Sequence, residues 1–182
     1  MTKQLTSLEL IEAAIWRELA SAIGSPDHAW RTATLATVGD GYADARTVVL
    51  RELDVARREL LIYTDARSAK VAQIAACPQA TLVLWSPVLE WQLRCRTTLS
   101  VETSGLALSS RWARIKLTPG ARDYLSPLPP GTPLTVPAHD LVPLVQFAVI
   151  TAKLDMLDWL ELGAEGHRRA IFGRGPAHWV QP

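Results

Sequence analysis

With 182 residues, 48% of them apolar and 20% charged, and a formal net charge of +1, the chain has the composition of one globular domain, 1–182, and no charge excess that would address it to nucleic acid or an anionic membrane. Its two cysteines, Cys77 and Cys95, and its four histidines, His28, His139, His167 and His178, show no compact ligand spacing, so neither a metal site nor a disulfide framework is expected. No apolar run reaches the length of a membrane span and MTKQLTSLELIEAA lacks the core of a signal peptide, which makes cytoplasmic the expected location.

In chain order, Leu5, Leu8, Ile11, Ile15, Leu19 and Ile23 recur every three or four residues and predict a helix over 5–23 with one buried stripe. Thr6 and Glu9 offer a capping box, Ser7 competes as cap, and Gly24-Ser25-Pro26 ends the helix. From about residue 30 the period shortens. ATLATV (33–38), RTVVLREL (46–53) and ELLIYT (59–64), joined by hairpin-sized connections, predict an antiparallel meander. Ser68–Ala76 reads as a short helix with Ser68 as cap, and TLVLW (81–85) as a further strand. In WQLRCRTTLSVE (91–102) one face is mostly apolar and the other fully polar, the pattern of a long strand covered on one side.

Trp112 and Ile115 suit a short helix, Thr118-Pro119 opens another through Tyr124, and the prolines of SPLPPGTP (126–133) exclude a regular interior element. Strand signals return at 145–155, around 156–162 where helix is equally open, at 167–172 and at 178–181. Six or seven short strands with only small helices predict a mainly β, closed or nearly closed antiparallel barrel. No GxGxxG follows a strand, which disfavours a doubly wound dinucleotide fold, and no GxSxG elbow supports a hydrolase.

Several polar residues call for a partner. Arg46 and Arg51 lie five positions apart on one strand and, without a break in it, face opposite sides, so a shared ligand must reach around the strand or meet a second subunit. Tyr63-Thr64 ends another strand. Arg67, Ser68 and Lys70 stand at a helix mouth, where N–H groups, a hydroxyl and an ammonium suit a phosphate. Singly, each has a plain structural reading: most Ser caps merely close a helix.

The order and spacing of RTVVLR (46–51), YTDARSAK (63–70) and WSPVLEWQLR (85–94) resemble the pyridoxamine 5'-phosphate oxidase-related FMN-binding family of split β-barrel flavoproteins. The resemblance runs from about residue 30 to the C-terminus. It implies an antiparallel split barrel with short flanking helices and FMN as cofactor, held between the subunits of a homodimer. Arg46 and Lys70 are then expected at the phosphate, Thr64 and Ser68 as hydroxyl donors, and Arg51 and Gln92 at the ring system. The backbone of Thr47, Val48, Val49 and Leu50 supplies directional hydrogen bonds, and Tyr63 comes with the aromatic-Thr pair. Trp159 and Arg169 have the spacing of a further pair of flavin residues, and His167 falls where the family places a substrate-facing histidine.

The departures matter as much. A phosphate-side arginine of the family is Ala69, a loss Arg67 can offset. Of three substrate-phosphate groups, Tyr124 and Thr132 match but the arginine position is Leu128, and another substrate arginine falls at Glu165, which would repel a phosphate. The resemblance therefore implies an FMN-dependent oxidoreductase that moves a hydride between a small organic substrate and flavin N5, with a second electron donor or acceptor completing the cycle. His167 is the candidate for proton handling or substrate orientation. Pyridoxamine 5'-phosphate oxidation and non-catalytic FMN binding or sensing are the alternatives.

Overall fold

The computed structural model describes residues 7–134, 145–164 and 166–182. Helix α1 (Leu8–Gly24) buries Ile11, Ala14, Ile15, Leu19 and Ala22, the stripe that the spacing predicts. Ser7 caps it, its Oγ accepting from the Leu10 N–H at 3.3 Å; Leu5 and Thr6 lie outside the described residues. Arg58 ties α1 to the barrel through Glu12 at 3.3 Å and lies 5.0 Å from the Trp16 ring centre.

Eight antiparallel strands follow: β1 (Thr32–Gly39), β2 (Tyr42–Asp54), β3 (Glu59–Asp65), β4 (Gln79–Ser86), β5 (Trp91–Glu102), β6 (Phe147–Glu161), β7 (Arg168–Phe172) and β8 (His178–Val180). Asp40 and Gly41 join β1 to β2 with φ of 51° and 81°, the two positive angles a two-residue hairpin loop requires. The strands pair in the order β3-β2-β1-β4-β5-β6-β7-β8, and β3 also pairs with β6. That last pairing closes β1 to β6 into a ring and removes the edges that an open sheet of this length would expose.

The expected strands at 145–155 and 156–162 are one strand, β6, whose register against β5 slips between Arg96 and Thr97 because Asp155 is an extra residue. A bulge flips the side-chain alternation, so one strand reads in sequence as two. On its other edge β6 holds β3 over Phe147–Lys153 and then β7 over Leu157–Glu161, so the sheet divides at the bulge into a closed ring and a β7-β8 wing.

A second bulge lies in β2. The register against β3 slips between Leu50 and Glu52, leaving Arg51 as the extra residue. Val48 and Leu50 are buried inside the ring, while Thr47 and Val49 face outward. Inside, Trp91 meets Trp30 at 6.4 Å and Trp159 at 5.3 Å, edge on. A smaller apolar cluster of Leu61, Tyr124, Phe147 and Val149 lies outside β3 and β6, against Leu108, Trp112 and Ile115 of α3 (Leu106–Ile115). A 3-10 turn at Pro119–Tyr124, opened by proline as expected, delivers Tyr124 to it. These two elements place the irregular 126–134 segment beside the end of β3.

Candidate functional site

Where β3 ends, a tight turn leads into α2 (Ala69–Ala76) and brings three polar side chains together. Lys70 Nζ donates to Thr64 Oγ1 at 3.1 Å and to Ser68 Oγ at 3.2 Å, and the two hydroxyls are 3.2 Å apart. Ser68 stands at the cap position but makes no side-chain capping bond; its hydroxyl belongs to this triangle. Burial first, and then the charge of Arg46, hold the Lys70 ammonium below its ordinary pKa. Among the described residues Lys70 has no ion-pair partner. A partly desolvated cation with two hydroxyls beside it is a donor set suited to an anion.

Arg46 sits behind this triangle. Its guanidinium pairs with Asp44, donates to Gln73 Oε1 at 3.0 Å and to Thr37 Oγ1, and reaches the Leu35 carbonyl at 3.3 Å. Gln73 Nε2 in turn donates to Asp44 Oδ2 at 2.8 Å, the main reason the Asp44 carboxyl stays below the usual carboxylate range. Arg67, expected to make good the Ala69 position, is committed elsewhere. It pairs with the buried carboxylate of Asp65 at 2.7 Å and donates to the carbonyls of Ser126, Pro127 and Leu128 at 2.6, 3.0 and 3.2 Å. It fastens the proline-rich segment over the end of β3.

Between that segment and β2 lies a cavity of about 240 Å³ lined by Thr47, Val48, Val49, Tyr63, Thr64, Ser68, Lys70 and Tyr124. Eight residues predicted from sequence thus share one pocket. Leu50 is fully buried and faces inward, leaving only its backbone for a ligand. Arg51, thrown off the ladder by its bulge, lies 5.9 Å from the Tyr63 ring centre, and its Nε is buried with no hydrogen-bond partner among the described residues. Burial pushes the Tyr124 hydroxyl pKa up, against the pull of the Arg51 charge. An orphaned guanidinium N–H beside an apolar strand face, with an unpaired ammonium at one end, fits a ligand that has a phosphate and a ring with acceptors.

Tyr63 donates to Glu52, which also holds Arg111 of α3 at 2.9 Å. Burial alone would raise the Glu52 pKa, but the donors Arg111 and Tyr63 outweigh it and the carboxyl is held down. A depressed carboxylate stabilises the fold above its unfolded pKa of about 4.3 and loses that contribution as pH falls through the lower folded value. Glu52→Gln is therefore expected to lower the urea midpoint at pH 7 and to leave it closer to wild type at pH 3. An equal loss at both pH values would remove the ionic contribution.

Gln92, Trp159 and Arg169 do not line this cavity. Gln92 on β5 and Arg169 on β7 are both in register with Leu160 of β6, so they flank one position. Trp159 is fully buried, its Nε1 has no partner among the described residues, and Arg168 lies 5.5 Å from its ring centre. Arg169 makes a two-pronged contact with Asp158, at 2.9 and 2.8 Å. The predicted residues thus fall into two groups, one on β2, β3 and α2, the other on β5, β7 and the part of β6 beyond its bulge.

Of the substrate residues, only Tyr124 reaches the cavity. Thr132 is exposed and donates to the Pro129 carbonyl at 2.7 Å, and His167 is exposed just before β7. Glu165 lies outside the described residues. Sequence reading missed Asp44, Glu52, Asp65, Gln73 and Asp158, the side chains that hold the predicted ones in place. Asp44 stands two positions before Arg46 on one strand, a legible signal; Gln73, reaching over from α2, left none.

Residues 13–103, half of the chain, match the family model described as the FMN-binding domain of pyridoxamine 5'-phosphate oxidase. The chain is 48% identical over 62 residues to the pyridoxine/pyridoxamine 5'-phosphate oxidase of Thermosynechococcus vestitus, covering 34% of this chain and 28% of that one. With the enzyme of the same name from Caulobacter vibrioides identity is 34% over 100 residues, 53% of this chain and 44% of the relative. The matches thus span less than half the length of these relatives. Among solved structures, a pyridoxamine 5'-phosphate oxidase-related, FMN binding protein from Nostoc punctiforme superposes with a TM-score of 0.73 at 27% identity, covering 97% of this chain and 100% of that one. PhzG from Burkholderia lata, solved with tetrahydrophenazine-1-carboxylic acid, gives 0.74 at 16% identity over 94% and 92%, a likeness of fold. The ring of strands with its divided sheet is accordingly a split β-barrel, and the chain belongs to the pyridoxamine 5'-phosphate oxidase-like FMN-binding family.

Proposed function

We propose that the chain binds FMN between the two subunits of a homodimer and acts as an oxidoreductase on a small organic substrate. The observation that carries this reading is the triangle of Lys70, Thr64 and Ser68, an ammonium and two hydroxyls converging at one point. In this reading they grip the phosphate, Arg46 adds charge from behind, and the β2 backbone from Thr47 to Leu50 lies along the ring with Arg51 as a donor. The cavity of about 240 Å³ is smaller than the roughly 300 Å³ at which ligand pockets begin. Half a site on one barrel, closed by Gln92 and Arg169 of a second with Trp159 packed beneath them, accounts for both the small volume and the separation of the two groups.

FMN, when bound, supplies two-electron hydride chemistry at N5. The chain's own part is to orient the ring, exclude water and offer positive charge beside it through Arg51; His167 is the group proposed to orient the substrate or handle its proton. Several relatives carry the name pyridoxine/pyridoxamine 5'-phosphate oxidase, but the arginine position in the substrate-phosphate segment is Leu128, whose carbonyl serves Arg67. A substrate without phosphate is the better fit.

Titrating the purified protein with FMN and with riboflavin, alongside light scattering, tests this. The expected result is a yellow dimer holding one FMN per subunit, with riboflavin bound far more weakly. Protein that stays colourless with excess FMN would overturn the cofactor. Efficient turnover of pyridoxamine 5'-phosphate would overturn the substrate reading, and a bound flavin that no donor reduces would favour a binding or sensing role.

A further inference from the structure

Three neighbouring strands present one charged row on the outer face of the barrel. Arg94 of β5 is directly opposite Asp158 of β6, and Arg169 of β7, opposite Leu160, lies two positions along on the same face. Asp158 accepts from Arg94 NH2 and, in a two-pronged contact, from Arg169 Nε and NH2 at 2.9 and 2.8 Å. Its side chain is 6% exposed, whereas those of Arg94 and Arg169 are 43% and 27% exposed. A buried carboxylate is thus overlaid by two guanidiniums that face outward, and the row carries one uncompensated positive charge. Thr81, Met156, Ile171 and a third cation, Arg96, complete a hollow of about 370 Å³ around it.

The geometry departs from that of an ordinary surface ion pair. Such a pair leaves both partners in solvent and contributes little. Here the carboxylate is desolvated, and the bonds from Arg169 and Arg94 outweigh that burial and hold its pKa below the ordinary range. The constraint is mutual. A planar guanidinium that donates two parallel bonds loses its rotational freedom, and its remaining N–H groups then point in a set direction. Gln92, two positions before Arg94 on β5, shares the outward face.

We infer that Asp158 is a positioning residue: its buried carboxylate fixes Arg169, with Arg94 beside it, in the orientation in which Arg169 meets the flavin held by the second subunit. The inference rests on the FMN reading above and adds to it a residue that touches no ligand. It also makes Arg94 a second cation at the wall that Arg169 and Gln92 form.

Charge alone predicts the opposite of this inference. Asp158→Asn removes a negative charge near an anionic ligand and, by Coulomb attraction only, would tighten FMN binding. Loss of positioning weakens it instead. In a fluorescence titration of apoprotein with FMN, D158N is expected to raise Kd about tenfold, the value of one well-aligned charge-assisted hydrogen bond, and D158E to fall between D158N and wild type. If Asp158 acts through Arg169, adding D158N to an R169Q protein changes Kd by less than about twofold.

Equal or tighter FMN binding by D158N overturns the inference while leaving the FMN reading intact, as does full additivity with R169Q. Should D158N fail to fold, D158E decides, and affinity equal to wild type overturns the inference. Wild-type protein that binds no FMN fails the cofactor reading first and removes this inference with it.

Discussion

Lys70→Ala is expected to weaken FMN binding about 50-fold while changing riboflavin binding by less than about twofold. The ammonium is the one cation of the triangle that has no carboxylate partner among the described residues, and removing it deletes a charge-assisted contact worth about 2 to 3 kcal/mol. Riboflavin lacks the phosphate, so its affinity isolates the effect. Arg46→Ala should cost less, about tenfold, because Asp44 already matches much of the Arg46 charge. Isothermal titration with both ligands measures the two variants. Equal losses for FMN and riboflavin in Lys70→Ala would move the phosphate away from α2.

Trp159→Ala should cost about 4 kcal/mol of stability, read as a urea midpoint, because the fully buried indole links the barrel core to the wing. It stands edge-on to Trp91 at 5.3 Å and to Trp179 of β8 at 6.5 Å. Trp159→Phe separates the packing from the polar role. Phenylalanine keeps most of the apolar contact and removes an N–H that has no partner among the described residues, so stability should change by less than about 1.5 kcal/mol. Because that N–H is buried, the same variant should also leave FMN affinity within about twofold of wild type, and a larger loss with the fold intact would give Trp159 a part in the flavin site. Unchanged affinity in Trp159→Phe would leave Trp159 as packing only.

Both predictions concern residues legible in the sequence. Alternation in β5 and the three runs of the meander fix which side chains enter the core, and the hairpin-sized connections fix antiparallel neighbours. The phosphate-side residues are equally local: Thr64, Ser68 and Lys70 lie within seven positions, and one turn is enough to bring them together. Alternation failed at Arg51 and Asp155, where a bulge adds one residue and resets the face. The cause is a mismatch between paired strands, and neither strand records it alone.

The sequence by itself determined the strands of the meander and β5, their inward faces away from the bulges, and the kinds of group at the phosphate end, because period and spacing along one chain decide those. Only the tertiary structure decided that β3 meets β6, that Arg67 latches the 126–128 carbonyls, and that Asp44 and Asp158 hold Arg46 and Arg169. Each of these is a contact between side chains or strands set by ring closure and burial, and a buried charge takes whichever partner the closed fold brings within reach.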